Sequence, residues 1–210
     1  LFDYEDGEAF NLSKEEIKRW HDIVKKKQNH KLAASSFFRE VLEQRTQNYI
    51  EGGVEKIASY EHSDEDATVT KGIKSSSFGL SAFKKYYPDM YADYLNYPNV
   101  STTGYKQNFY WLKDKIEDRP AFILKHQMVK ERDNLLIIAE RQFYISNGLD
   151  AIQTQIVCMP YKDGTFVALS SQSFTKKVAG FGRRVAVKVG RHMMGKEILP
   201  VFESLQKKFN

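Results

Sequence analysis

AFILKHQMVKERDNLLIIAERQFYISNGLDAIQTQIVCMPYKDGTFVALSSQSF, residues 121–174, decides the fold. Up to Pro120 the apolar residues recur at helical spacing, and beyond it they recur every second residue. A period of two is that of a strand whose side chains alternate between two faces. Strands are expected at about 121–130, 134–146, 151–161 and 165–174. In the second, Glu140, Gln142 and Tyr144 fall on one face, and Ala139, Arg141, Phe143 and Ile145 on the other. Both faces carry an ionisable residue, so one of them must accept a charge. Glu131–Asn134 and, more strongly, Asp163-Gly164 read as hairpin turns, because these residue types tolerate positive φ. Asn147-Gly148 reads as a bend or turn.

Upstream the chain is helical. Ser13 and Glu16 form a capping box, with Leu12 and Ile17 placed as a hydrophobic staple, and Ile17, Trp20 and Val24 make one apolar stripe. A second helix runs from about Leu32 to Glu51, with Phe38, Val41, Leu42, Arg45 and Tyr49 on one face. Gly52 and Gly53 end it by taking the left-handed conformation without a Cβ penalty. Val54–Tyr60 suits a short helix, and the polar, Ser-rich residues 61–77 read as an exposed loop. Leu80, Phe83 and Tyr87 share a helix face, Pro88 suits a first helical turn, and Tyr91, Tyr94 and Leu95 continue the pattern. Phe109, Leu112 and Ile116 mark a further helix of about three turns. After the strands, a terminal helix is expected from Thr175 onward, weakened at Gly190 and Gly195 and kinked or split at Pro200. The order predicts one α+β domain over residues 1–210: residues 12–118 mainly helical, 119–174 an antiparallel sheet, 175–210 a long C-terminal helix.

Of the 210 residues 41% are apolar and 28% charged, ordinary values for a globular protein, and the 14 Phe and 12 Tyr argue against disorder over long stretches. No apolar run approaches the ~20 residues of a membrane-spanning helix. Leu1 in place of Met reads as a processed or shortened product, compatible with a removed export signal. Cys158 is the sole cysteine, so no internal disulfide forms, and its apolar strand suggests an inert, buried thiol.

The basic excess is confined to the end. Residues 175–210 hold nine Lys or Arg against two Glu, while the rest of the chain is slightly acidic. Lys176, Lys177, Arg183 and Arg184 gather where the terminal helix begins. The plain reading is a solvated helix face; the functional one is contact with an anionic membrane surface, ahead of nucleic acid. GFGRRV, residues 180–185, lacks the third glycine and the strand context of a dinucleotide fingerprint. GxSxG, HExxH and P-loop motifs are absent, and no cofactor or metal is expected.

Among individual side chains, Glu140, Gln142 and Tyr144 read either as the lining of a ligand site or as the solvated face of a sheet. His126, between Leu124 and Met128 on one strand face, reads as a buried acid or base, or more plainly as a hydrogen-bonded structural residue. Tyr91 and Tyr94, within a run of tyrosines from Tyr86 to Tyr97, suit a pocket gate or simple helix packing. His62, Asp64, Glu65 and Asp66 lack the glycine and terminal glutamate of an EF-hand loop.

Three segments carry a resemblance: FFREVLEQRTQNYIEGG at 37–53, NFYWLKDKI at 108–116 and IIAERQFYISNGLDA at 137–151. Together they resemble uncharacterised bacterial proteins similar to the START-like, or helix-grip, superfamily. Gln142, Tyr144 and Asp150 match its strand-end pattern; Asn147 and Gly148 stand where relatives show His and an aromatic, so a role resting on that His does not transfer. The resemblance implies a sheet curved around the long helix, with an apolar cavity between them for a lipid-like ligand. It also implies a periplasmic or secreted location, with the cytoplasm as the alternative. The expected function is therefore binding or transport of an apolar small molecule oriented by Gln142, Tyr144, Glu140, His126, Tyr91 and Tyr94. The alternative is an enzyme, a cyclase, hydrolase or isomerase, using acid–base residues of the same cavity.

Overall fold

The computed structural model describes residues 10–25, 30–60, 69–76, 80–101, 103–116, 119–175, 199–200, 202–204 and 206–207. The chain divides into a unit of residues 1–174 and a short unit of residues 175–210. In the second unit, residues 199–200, 202–204 and 206–207 are helical. The rest of the expected terminal helix, with Lys176, Lys177, Arg183 and Arg184, lies outside the described residues.

The first unit is α+β. Its helices are α1 (Lys14–Lys25), α2 (His30–Gly52), α3 (Val69–Ser76), α4 (Ser81–Tyr86) and α5 (Pro88–Asn96), with a 3-10 turn at Gly53–Lys56. Its strands are β1 (Lys106–Ile116), β2 (Arg119–Arg132), β3 (Leu135–Ile145), β4 (Ala151–Tyr161) and β5 (Gly164–Phe174). They form one antiparallel sheet in the order β1-β2-β3-β4-β5, each strand beside its neighbour in sequence.

The capping box closes as expected: the Ser13 amide donates to Glu16 at 2.7 Å, and the Glu16 amide donates to Ser13 Oγ at 3.3 Å. Trp20, Phe37, Phe38, Val41 and Tyr49 are buried, packing α1 and α2 into one aromatic core with Phe10 and Leu12. Trp20 meets Phe37 and Phe38 at ring separations of 5.6 and 5.5 Å. Each fully buried large side chain of this set contributes roughly 3 kcal/mol of transfer free energy. Asn11 ties the start of the unit to the β3–β4 connection, its amide group donating to the carbonyls of Ile145 and Leu149 at 2.7 and 2.8 Å.

Three expectations are corrected. Residues 108–116 are strand, not helix. The helical spacing of Phe109, Leu112 and Ile116 was fortuitous, and the run Phe109-Tyr110-Trp111 has the aromatic character that favours a pleated surface. Within the loop expected at 61–77, residues 69–76 form α3, which buries Val69 and Ile73. Gly72 of α3 lies so close to β5 that a Cβ there would meet the Phe174 ring at 2.1 Å. The β4–β5 turn is Lys162-Asp163, with Lys162 at positive φ, while Gly164 already pairs with Tyr161.

A bulge changes the face assignment on β3. Leu124 opposes Tyr144 while Lys125 opposes Gln142, which leaves Phe143 as an extra residue. The strand bends there, and Phe143 and Tyr144 both turn toward the helices. Tyr144 therefore leaves the row of Glu140 and Gln142 in which alternation had placed it. The helices cover one face, called inner: Phe122, Leu124, His126 and Met128 of β2 all pack toward them.

Gly53 sets the end of α2. Its φ is +60°, and a Cβ would lie 2.0 Å from the Tyr97 carbonyl oxygen. Gly53→Ala is expected to cost about 2 kcal/mol or more, from the left-handed backbone and the clash together, read as a lower urea midpoint at unchanged slope.

Candidate functional site

Two polar systems lie on opposite sides of the sheet. The inner one centres on Arg141, which is 1% exposed. Its Nη1 donates to Tyr49 Oη at 3.1 Å and its Nη2 to the Tyr94 carbonyl at 2.9 Å. Nε and Nη2 both reach Gln153 Oε1 at 3.3 Å, and the guanidinium lies 4.2 Å from the Tyr94 ring centroid. Among the described residues no carboxylate pairs with it. Aromatic faces and neutral oxygens hold the charge instead, which requires every donor to be met. Burial works against the cation, and Tyr49 and Tyr94 outweigh it, so the guanidinium stays charged above its ordinary range.

The chain of hydrogen bonds continues through Tyr49. Tyr49 Oη lies 3.0 Å from His126 Nδ1, and His126 Nε2 lies 3.2 Å from Gln107 Oε1. One assignment satisfies all of these: Tyr49 accepts from Arg141 and donates to Nδ1, and Nε2–H donates to Gln107. His126 is thus a neutral imidazole. Burial, with the Arg141 charge adding to it, pushes its pKa down to about 3. The ring is stacked on Phe109 at 4.6 Å and 7°, and Tyr49 on Phe143 at 4.0 Å and 4°. Gln153 Nε2 carries the network to α3 through the Ile73 carbonyl at 2.9 Å.

A second buried cation, Arg45 of α2, is paired with Glu16 of α1. Its guanidinium lies 4.5 and 5.5 Å from the ring centroids of Tyr144 and Tyr60. Tyr144 Oη is buried with no hydrogen-bond partner among the described residues, and burial raises its pKa. Helices and sheet thus meet through filled contacts of rings and guanidinium groups around these two arginines.

The outer system is an ordered row. Asn108, Gln127, Glu140, Thr154 and Ser171 stand opposite one another in register across all five strands. Lys125 Nζ pairs with Glu140 Oε1 at 2.9 Å, both side chains less than one-fifth exposed. Gln127 Nε2 approaches Glu140 Oε2 at 3.4 Å, and Thr154 meets Ser171 at 3.0 Å. Gln142 Oε1 is buried beside them without a partner among the described residues. On one flank, Val129, Ile138, Ile156 and Leu169 form an unbroken apolar row. On the other, Leu112 and Ile116 pack against the buried Ile123 and Ile145.

The expected site residues are therefore divided. His126 and Tyr94 lie inside, Tyr94 fixed by its hydroxyl donating to the Glu140 carbonyl at 2.8 Å. Tyr91 packs edge-on against Phe83 at 6.2 Å. Tyr144 is inside with Arg45, while Glu140 and Gln142 are on the outer face. Glu140, Tyr144 and His126 do not converge on one pocket. Tyr49, Gln107 and Gln153 were missed, since their partners lie far off in sequence; Lys125 and Gln127 were legible as the polar members of an alternating strand.

Two surface grooves, of about 590 and 460 Å³, lie among the helices and their connections, and neither is lined by an expected site residue. Among the described residues there is no cluster of three or more metal-ligating side chains, and no helix long and apolar enough to cross a membrane. No family model, curated protein or solved structure matches this chain.

Tyr49→Phe strands one Arg141 donor and His126 Nδ1, and is expected to cost about 1–3 kcal/mol by chemical denaturation. His126 takes up its proton at about pH 6.5 when unfolded and at about 3 when folded, so the unfolded state binds more protons between these values. Its contribution is complete above pH 6.5 and is lost as pH falls, by up to about 1.4 kcal/mol per unit. Between pH 6.5 and 5, His126→Gln should flatten the dependence of stability on pH; an unchanged slope would place that dependence elsewhere.

Proposed function

We propose that this chain is a START-like, helix-grip domain that binds or carries an apolar, lipid-like small molecule against the outer face of its sheet. The single observation that carries the reading is the banding of that face. A polar row runs across all five strands, flanked by an apolar row of Val129, Ile138, Ile156 and Leu169 and by the Leu112, Ile123 and Ile145 cluster. A purely solvated face would not hold isoleucines in register beside an ion pair less than one-fifth exposed. The partly exposed row of Val129, Ile138, Ile156 and Leu169 supplies affinity by burial, at about 25 cal/mol per Å² before association costs, and the Lys125–Glu140–Gln142 group orients a polar end.

The inner face has no part in this reading, because aromatic stacking and the Arg141 network fill it. The acid–base alternative draws no support from the arrangement, since Glu140 faces away from His126 and Tyr144. Contact with an anionic surface through Lys176, Lys177, Arg183 and Arg184 is a separate, weaker proposal that predicts steep loss of vesicle binding with salt.

The test uses a neutral fluorescent apolar probe, N-phenyl-1-naphthylamine, on delipidated protein, with native mass spectrometry of the purified chain. Saturable binding is expected, weakened tenfold or more by Ile138→Asp or Ile156→Asp and unchanged by Tyr86→Ala. A folded protein that takes up no probe, or one indifferent to both isoleucine changes, would overturn the assignment.

A further inference from the structure

Among the described residues β1 is an edge strand of 11 residues, with no strand paired to its outer line of backbone donors and acceptors. Edges of this length are protein-pairing templates unless blunted. Its pairing with β2 is regular from Lys106 to Ile116, with no bulge to twist the edge away. Two of the large exposed apolar side chains of the molecule stand on it, Tyr110 at 43% and Trp111 at 66%.

The sequence of β1 is complementary to itself when reversed about Tyr110. In that alignment Lys106 faces Asp114, Asn108 faces Leu112, Tyr110 faces Tyr110 and Phe109 faces Trp111. Opposed residues of an antiparallel pair lie on the same face, and a two-fold axis preserves this only when paired numbers have an even sum. Centring on Trp111 instead removes the ion pair, and a pairing of Lys106 with Lys115 is excluded by parity and by like charge. The Tyr110-centred register alone opposes Lys106 to Asp114, and it does so twice by symmetry.

We propose that the open edge of β1 pairs antiparallel with β1 of a second copy, centred on Tyr110, to give a two-fold dimer with a continuous ten-stranded sheet. Nine residues, Lys106 to Asp114, pair in full. The Lys106–Asp114 pairs lie at the ends of the seam and the aromatic pairs at its centre. Lys106 exchanges its exposed partner Glu131, 3.3 Å away, for Asp114 of the second copy. This inference is independent of the ligand reading.

The experiment is register-specific crosslinking of the full chain in a Cys158→Ser background, with copper–phenanthroline as oxidant. Tyr110→Cys should give a disulfide-linked dimer, because the two thiols face each other. Leu112→Cys alone should not, whereas Asn108→Cys mixed with Leu112→Cys should crosslink as a heterodimer. Sedimentation should show Asp114→Lys weakening association at least tenfold and Lys106→Glu with Asp114→Lys restoring it, an outcome that misfolding cannot imitate. A chain that stays monomeric at several hundred micromolar, or one in which Leu112→Cys crosslinks as readily as Tyr110→Cys, would overturn the proposal.

Discussion

A buried guanidinium without a carboxylate sets the terms for the rest of this structure. Arg141 sits in a central strand and can remain charged there only if several separate elements deliver a group each. Tyr49 comes from α2, the Tyr94 carbonyl and ring from α5, and Gln153 from β4. Removing any one strands a donor where water does not reach, and an unmet charged donor costs more than an average hydrogen bond contributes. The network therefore acts as a positional key. It fixes α2 and α5 relative to the sheet, and through Gln153 and Ile73 it fixes α3 as well. Hydrophobic packing alone tolerates sliding; a buried guanidinium bonded through all three of its nitrogens does not.

The bulge at Phe143 has the complementary effect. By turning both Phe143 and Tyr144 inward, it lets one end of β3 supply two rings to the helical core, one stacked on Tyr49 and the other under Arg45. The outer face carries the polar side chains of Lys125, Gln127, Glu140 and Gln142 beside branched aliphatic ones. The two sides of the sheet thereby separate: aromatic and cationic within, banded polar and apolar without.

Much of this was legible in the residues. β2 to β5 follow from alternation that starts at Pro120, and α1 follows from its capping box. Arg45 was readable as a buried face residue of α2, though not its pairing with Glu16, which lies 29 residues away. β1 was not legible, because Phe109, Leu112 and Ile116 match a helical period as well as they match parts of two strand faces. Nor was α3, whose Val69 and Ile73 stand in a polar run and become a face only in the folded core, where Gly72 between them lets β5 approach through Phe174. The inward turn of Tyr144 depends on a register shift that no local pattern encodes. The Arg141 network joins residues 77 and 92 positions apart, so its members look like unrelated polar residues in the chain.

Those separations also bear on how the protein is made. The sheet is a run of adjacent hairpins and can assemble from local contacts, whereas Trp20, Phe37, Phe38 and Tyr49 belong to the part translated first. Tyr49 leaves the ribosome 92 residues before Arg141, an interval on the order of ten seconds at ordinary elongation rates. For that interval a greasy pair of helices has no sheet to rest upon. The aromatic face of α1 and α2 is completed only when the final hairpins emerge, so the last-made part of the unit closes the core that the first-made part begins.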